Sequence, residues 1–563
     1  PTPADKTRLL NYEEASQWFG KGQPRLYQMT AVMPDLQDLI IQFHVNLLNH
    51  TNELTGLRYA DDPALLAVEL QNEEDFFLTM TGYDELLKNA PTYRKLIYDR
   101  FADWLKTRYA SQEALAKAWG DKLKPDETLA AASISPFPKW YQGKPTRRTA
   151  DQIQFLYAQQ SDYYKRFETA VRKTGYKGQL IGSCWQASDF VGHLYNVLSD
   201  REIGHIDRHN YGASFLDQPG IGLLSPGFQA VADRPFSFSE WSALIYGINK
   251  TLDVPLVAIY GMGLQGWDAS LQFAWDYVGV LPHKHRGVSE ACNDFGALSQ
   301  YPALARLVRR GDVQEGAVVG QRRVSLPALK ATGAVGFLEQ FSLLNASNNK
   351  SFGAAVPNAA LAAGRVVLDF VDGPVEKPVV DDSAKYIDTK NSVVHSTTGQ
   401  LEWDYSGKGF FTVNTPGTKA VVGHARGKRL ELGEITITTQ TPFTTLYVSA
   451  PGPTDSIADA RSLLVTALAR SAEAGAKYEE LQENSSGPFI PAPDKKGPVL
   501  VEPVTANIEI KGKGDFRVFA LDHGGRKQSD APEIAVKKSG GVNRFTVDGN
   551  KTKAFYYLVE FTK

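Results

Sequence analysis

The chain has 563 residues, 42% of them hydrophobic and 22% charged, with a formal net charge of -2 at pH 7. That balance leaves no basic field to attract nucleic-acid phosphates, and no uninterrupted apolar run approaches the roughly 20 residues of a helical membrane span. The length calls for two to four domains and a sizeable core, and the two cysteines, Cys184 and Cys292, lack metal-ligand or redox spacing and read as buried free thiols.

In chain order, DLQDLIIQFHVNLL (35–48) sets Leu36, Leu39, Ile40, Phe43 and Leu47 at helical spacing behind a possible Asp35 cap. LLAVEL (65–70) is a short apolar run after Pro63, as expected of a buried parallel strand, and it delivers Asn72 and Glu73 at its C-terminal end. Residues 92–119 predict two helices. Ile97, Phe101, Trp104 and Leu105 stripe the first, and Ser111 and Gly120 bracket the second. Further short strands are predicted at QLIGSCW (179–185), GHIDRHNY (204–211), PFSFSEW (235–241) and SLQFAW (270–275), with helix-compatible segments between them. This alternation suggests an α/β chain built on a (β/α)₈ TIM barrel.

From about residue 376 the texture changes to alternating segments such as GFFTVNT, EITITT, TTLYVSA, FRVFAL and AFYYLVEF, which predict C-terminal antiparallel β-sandwich domains. NSSGPFIPAPDKKG, around 484–497, reads as a linker. The expected organisation is a barrel over 1–300, a connecting segment over 301–375, a β-rich domain over 376–483, the linker, and a small β-sandwich over 498–563. Only five barrel strands are legible where closure needs eight. The expectation is therefore that this chain supplies strands four to eight and that a noncovalent N-terminal fragment completes the barrel. The alternative is an irregular barrel with an early strand near RLYQMTAVM (25–33).

Two carboxylates, Glu73 and Glu240, fall at strand ends, where barrel active sites form. A lone glutamate at such a position more often caps a helix or pairs on the surface. Two of them could perform glycosidic-bond hydrolysis with retention, in which one carboxyl protonates the leaving oxygen and the other attacks the anomeric carbon across about 5–5.5 Å. Glu74 and Asp75 crowd the first position, and Glu69 lies within the strand. HKH at 283–285 has no companion at metal-ligand spacing and reads as a surface loop.

The Asn72-Glu73 pair and the later strand-end Glu240, together with TGLRYADDPALLAVELQNEEDFF and FADWLKTRYASQEALAKAWG, resemble clan A glycoside hydrolases over roughly residues 8–300. Family 42 β-galactosidases and family 5 bacterial glycosidases are the members in view. The resemblance implies Glu73 as acid/base, Asn72 as the partner of the sugar 2-hydroxyl, and Glu240 as nucleophile. His209 and Tyr211 would orient the nucleophile, Trp275, or its rival Trp267, would form the platform under the sugar, and Trp185 is a further substrate-binding candidate. Each has a plainer alternative: His209 as a satisfied structural histidine, and Trp185, Trp267 and Trp275 as barrel packing. The arginine that clan A enzymes present from an early strand is missing, in keeping with the missing strands.

The implied activity is a retaining glycoside hydrolase acting on β-linked oligo- or polysaccharide without metal or organic cofactor, in extracellular, periplasmic or cell-surface surroundings and possible as a homo-oligomer. The first residues, PTPADKTRLL, lack the apolar core of a signal peptide. The competing expectation is a catalytically inactive carbohydrate-binding or cell-surface protein on the same fold.

Overall fold

A computed structural model describes residues 3–17, 27–77, 80–120, 123–139, 145–184, 190–211, 214–242, 248–273, 295–333, 337, 340–343, 350–474, 499–512 and 514–562. Five short strands form a parallel arc in chain order: β1 (Ala67–Gln71), β2 (Gln179–Ser183), β3 (Ile206–Asn210), β4 (Phe236–Trp241) and β5 (Ala269–Gln272). β1 pairs with β2, β3 with β4 and β4 with β5, all parallel, and an Ile181–His205 bridge joins β2 to the start of β3. These are the five strands expected from the sequence. Among the described residues no further parallel strand extends the arc at β1 or β5, and residues 27–31, within the proposed early strand, form a short helical turn.

Helices cover the arc. α1 (Pro34–Asn49), α2 (Pro91–Lys106) and α3 (Gln112–Ala118) precede β2, α4 (Arg147–Lys173) leads into it, and α5 (Phe190–Ile203) crosses from β2 to β3. Ser111 caps α3 by accepting the Ala114 N–H, as predicted. α1 differs from expectation in two ways. Pro34 occupies its first turn, so Asp35 lies inside the helix, where its carboxylate accepts the Leu10 and Leu36 N–H groups. Its inward face carries Leu36, Gln37, Ile41, His44 and Leu48, while Phe43 and Leu47 of the expected stripe are 63% and 46% exposed. Leu36 is buried and Leu39 and Ile40 pack partly against the core, so the expected stripe follows the inner side at first and turns outward at Phe43 and Leu47.

β2 approaches the helices closely at Gly182. A Cβ there would lie 2.4 Å from the Tyr164 ring of α4, so only glycine fits. Next along the arc, Arg208 of β3 points away from the mouth into the helical layer. There it pairs with Asp200 of α5 at 2.8 Å and donates to Asn196 and Gln229, with Arg208 and Asp200 both fully buried. Burial lifts the Asp200 carboxyl to about 6 against the pull of Arg208.

After the arc the chain departs from the expected domain scheme. The described residues of 301–375 are a folded part of the body. They include α6 (Tyr301–Arg310), β6 (Val318–Ser325) and β7 (Arg365–Val371), the two strands pairing parallel; β6 also pairs antiparallel with β8 (Val379–Asp381), a strand of the following segment. The two expected β domains are one double-sheet unit. A ten-stranded sheet places Tyr556–Phe561 between Ser462–Leu468 and Phe516–Ala520, and a five-stranded sheet places Thr505–Lys511 beside Ile435–Thr439. In each sheet the strands before the expected linker form one block that pairs edge to edge with a block of strands after it, and both sheets close around one core that includes Ile435, Ile437, Leu446, Val448, Ile508, Val547 and Val559. A segment rich in Pro and Gly marks a surface connection as readily as a boundary; residues 484–497 themselves lie outside the described residues. The unit is fastened to the arc by Trp403, 1% exposed, whose indole N–H donates to Leu216 O at 2.7 Å.

Replacing Arg208 with alanine would leave Asp200 buried without its charge partner. The expected loss is about 3–5 kcal/mol of stability, read by chemical or thermal unfolding. A loss below about 1 kcal/mol would show that the pair does not anchor β3.

Candidate active site

The C-terminal ends of β1 to β4 converge on His209. Two residues past β1, Glu73 takes a left-handed backbone with φ 52, a conformation unfavourable for a residue with a Cβ and retained where surroundings enforce it. The enforcing contact is Cys184, the residue after β2, whose Sγ accepts the Glu73 N–H at 3.1 Å. The same thiol lies 3.2 Å from Glu69 Oε1 and 3.8 Å from Asn72 Oδ1. Burial first, then the Glu69 carboxylate, pushes it well above the usual thiol range, so Cys184 remains an S–H. Glu69 sits beneath the mouth, its carboxyl raised mainly by burial.

β4 carries one extra residue relative to its neighbours. Asp207 faces Ser237 and Arg208 faces Phe238, but His209 faces Glu240, and the β4–β5 register shifts over the same stretch. Strict alternation would send Ser239 and Glu240 to opposite faces. The bulge turns both toward His209.

The histidine, 1% exposed, is held from both sides. Nε2 lies 2.9 Å from Ser239 Oγ, while Nδ1 lies 3.0 Å from Glu73 Oε1 and 3.4 Å from Glu240 Oε2. Tyr211, one residue past β3, donates its hydroxyl to Glu240 Oε2 at 2.5 Å. Burial, and next the bond to Glu240, raises that phenol strongly, so it stays a donor. The two carboxylate side chains are 22% and 23% exposed, enough to meet a ligand. Atoms of Glu73, His209 and Glu240 all lie within 4.8 Å of one another; a shared proton or a divalent cation could occupy such a spacing.

The structure thus brings together Glu73, Glu240, His209 and Tyr211, with Asn72 exposed beside them at the mouth. Trp267 is the correction. It precedes β5, at the end of the strands opposite the mouth, and is 3% exposed, its ring 5.3 Å from those of both Phe236 and Phe238 and against Gly261. With both faces packed, it cannot be a sugar platform. Trp185, Trp275, Cys292 and the HKH segment lie outside the described residues. The sequence reading missed Cys184 as a positioning group, Ser239 and Asp207 behind His209, and Phe273. The last stands edge-on to Tyr211 at 6.0 Å and is 38% exposed. The adjoining Ser239-Glu240 pair in a strand that otherwise alternates was the available sign of a bulge.

Of the crowding acids, Asp75 caps its own turn through the Phe77 N–H at 3.0 Å, and Glu74 is 9% exposed. The Glu74 carboxyl is pushed up to about 9, first by burial and then by Glu73 and Asp75.

No family model matches the chain, and no curated protein matches it. Among solved structures it is similar to an exo-beta-agarase, with 17% identity over 39% of this chain and 28% of that one and a TM-score of 0.27. It is similar to an agarase, AgWH50C, with 15% identity over 38% of this chain and 28% of that one, again at 0.27. The beta-galactosidase of the Antarctic haloarchaeon Halorubrum lacusprofundi gives 13% identity over 92% of this chain and 82% of that one, at 0.35. The chain matches little more than a quarter of either agarase's length, and at these scores the likenesses carry no functional argument.

Because the folded value of Glu74 is raised, this group stabilises the protein at acid pH and loses that contribution as pH rises from the ordinary carboxyl range toward 9. Glu74→Gln is therefore expected to match the wild type in thermal unfolding near pH 4.5 and to exceed it by about a few degrees near pH 9. An equal or lower melting temperature at pH 9 would contradict the buried, neutral carboxyl.

Proposed function

We propose that the chain is a retaining glycoside hydrolase acting on β-linked oligo- or polysaccharide, with Glu73 as acid/base and Glu240 as nucleophile. The observation that carries the reading is the convergence of both carboxylates on His209 Nδ1 within 4.8 Å. This is the close spacing that direct attack on an anomeric carbon uses; inverting enzymes leave about 6.5–9.5 Å for an intervening water. Membership of clan A, with family 42 or family 5 kinship, belongs to the same proposal.

With Oε2 of Glu240 held by Tyr211, Oε1 attacks the anomeric carbon while Glu73 protonates the departing oxygen. Asn72, exposed at the mouth beside Glu73, meets the sugar 2-hydroxyl. Esterification removes the negative charge of Glu240. Glu73, now a carboxylate, takes a proton from the water that releases the sugar. No step calls on a metal or organic cofactor, and an extracellular, periplasmic or cell-surface location, where polysaccharide would be met, belongs to the same proposal.

A fragment that completes the barrel is likewise a proposal. In its favour, Phe43, Leu47 and Leu66 near β1 and Leu271 and Phe273 at β5 are exposed apolar side chains beside edges unpaired among the described residues. Further parallel strands with their helices would cover them. In the native, active protein, hydrogen exchange should protect the β1 and β5 amides as strongly as those of β3. Fast exchange along β1 at full activity would exclude added strands.

The catalytic assignment is tested on aryl β-glycosides and, for a chain-cleaving enzyme, by reducing-end release from β-linked polysaccharides. Glu240→Ala and Glu73→Gln should each lower turnover by about 10³-fold or more, and a chelator should leave the wild type unchanged. A drop of less than about tenfold in either variant overturns the assignment. Activity lost to chelation and restored by metal would favour a cation between the carboxylates. Sugar binding without turnover would favour the carbohydrate-binding alternative.

A further inference from the structure

The geometry points to Asp207 and Ser239 as positioning residues that lock His209 in one tautomer, so that its Nδ1 shares a single proton with Glu73 and stores the proton the acid delivers. The rate consequence rests on the glycosidase reading; the tautomer does not.

Asp207, fully buried in β3, accepts the hydroxyls of both Ser237 and Ser239, one on each oxygen. A serine hydroxyl has one proton. Ser239 spends it on Asp207 Oδ2, so toward His209 Nε2, 2.9 Å away, its oxygen can only accept. Nε2 must therefore carry hydrogen. A second arm repeats the arrangement, with His205 Nε2 2.9 Å from Ser237 Oγ and the Ser237 hydroxyl donated to Asp207 Oδ1. Two histidines are thus oriented by one buried carboxylate through two hydroxyls.

With Nε2 committed, Nδ1 of a neutral His209 presents a lone pair to Glu73 Oε1 at 3.0 Å and to Glu240 Oε2 at 3.4 Å. Three lone-pair atoms without a proton between them would repel. One proton in the Nδ1···Oε1 contact resolves this, whether it sits on the ring or on the carboxyl. The groups that face His209 are Glu69 and Glu73 from β1 and the turn after it, Cys184 after β2, Asp207 in β3, Tyr211 after it, and Ser239 and Glu240 from β4. Cys184 gives its hydrogen to Glu69 and Tyr211 gives its own to Glu240, so neither competes for the shared proton. That proton leaves through Glu73 when the sugar's leaving oxygen is protonated, and one returns when Glu73 deprotonates the attacking water.

The test pairs nitrogen-15 NMR of the histidines with kinetics on Ser239→Ala and Ser239→Thr. In the wild type, His209 should show Nε2–H across the active pH range and an Nδ1 signal characteristic of a strong, shared hydrogen bond. Ser239→Ala should mix the tautomers, lower kcat about tenfold or more with little change in KM, and shift the pH profile. Ser239→Thr, which keeps the hydroxyl, should restore all three. A wild-type His209 protonated on Nδ1 with a bare Nε2 overturns the inference, as does a folded Ser239→Ala with unchanged tautomer and pH profile. Should Ser239→Ala fail to fold, the wild-type spectrum still decides. An inactive wild type with the Nε2–H tautomer would sink the glycosidase reading alone.

Discussion

The single-residue bulge in β4 is what the nucleophile side of the site depends on, because it aims two adjacent side chains at the same histidine. β3 keeps strict alternation: Asp207 and His209 look toward the mouth layer, and Arg208 between them looks into the helices, where Asp200 waits. β4 breaks alternation, so Ser239 reaches one ring nitrogen of His209 and Glu240 the other. A regular strand would have offered a hydroxyl or a carboxylate, not both. The loss of one ladder register is a local cost; what it yields is a carboxylate, a hydroxyl and an imidazole whose relative positions are set by backbone pairing rather than by long, mobile side chains.

Glu73 is placed by the opposite device. It sits beyond the strand on strained backbone, and its N–H is received by a buried thiol. A sulfur is a weak acceptor, but Cys184 also donates to Glu69, which sets its lone pairs toward the turn. The acid side of the site is therefore built from a turn on a thiol, and the nucleophile side from a bulge on a neighbouring strand. The strain at Glu73 and the broken register at Glu240 meet at one imidazole.

Much of this was legible in the sequence, and the limits have physical causes. LLAVEL (65–70) stood out as an apolar run, as a parallel strand buried on both faces does, and the other four strands were legible as short segments between helix-compatible stretches. Glu73 and Glu240 were legible as strand-end carboxylates, His209 and Tyr211 only through the resemblance to clan A enzymes, and the structure sets His209 against Glu73 and Tyr211 against Glu240 at hydrogen-bond distance. Trp267 misled because the resemblance asked for a tryptophan near the last strand; lying before that strand, it belongs to the end opposite the mouth. Phe43 and Leu47 of α1 misled because apolar residues continue onto its exposed side. Cys184 and Asp207 carried no motif: their roles come from strand neighbours more than 100 and about 30 residues away. The supposed pair of β domains failed because strand order within a sheet is not sequence order.

The place of Tyr556–Phe561 in the ten-stranded sheet bears on how the molecule comes to exist. This segment sits between Ser462–Leu468 and Phe516–Ala520, bonded to both. During synthesis those two strands emerge well before the one that joins them, and each waits with open main-chain groups and an apolar face. The ten-stranded sheet is thus completed only after Tyr556–Phe561 has been made, and a chaperone's hold on the waiting edges would protect the nascent chain from aggregation. Trp403, which seats this unit against the loop after β3, makes the timing matter to the arc as well.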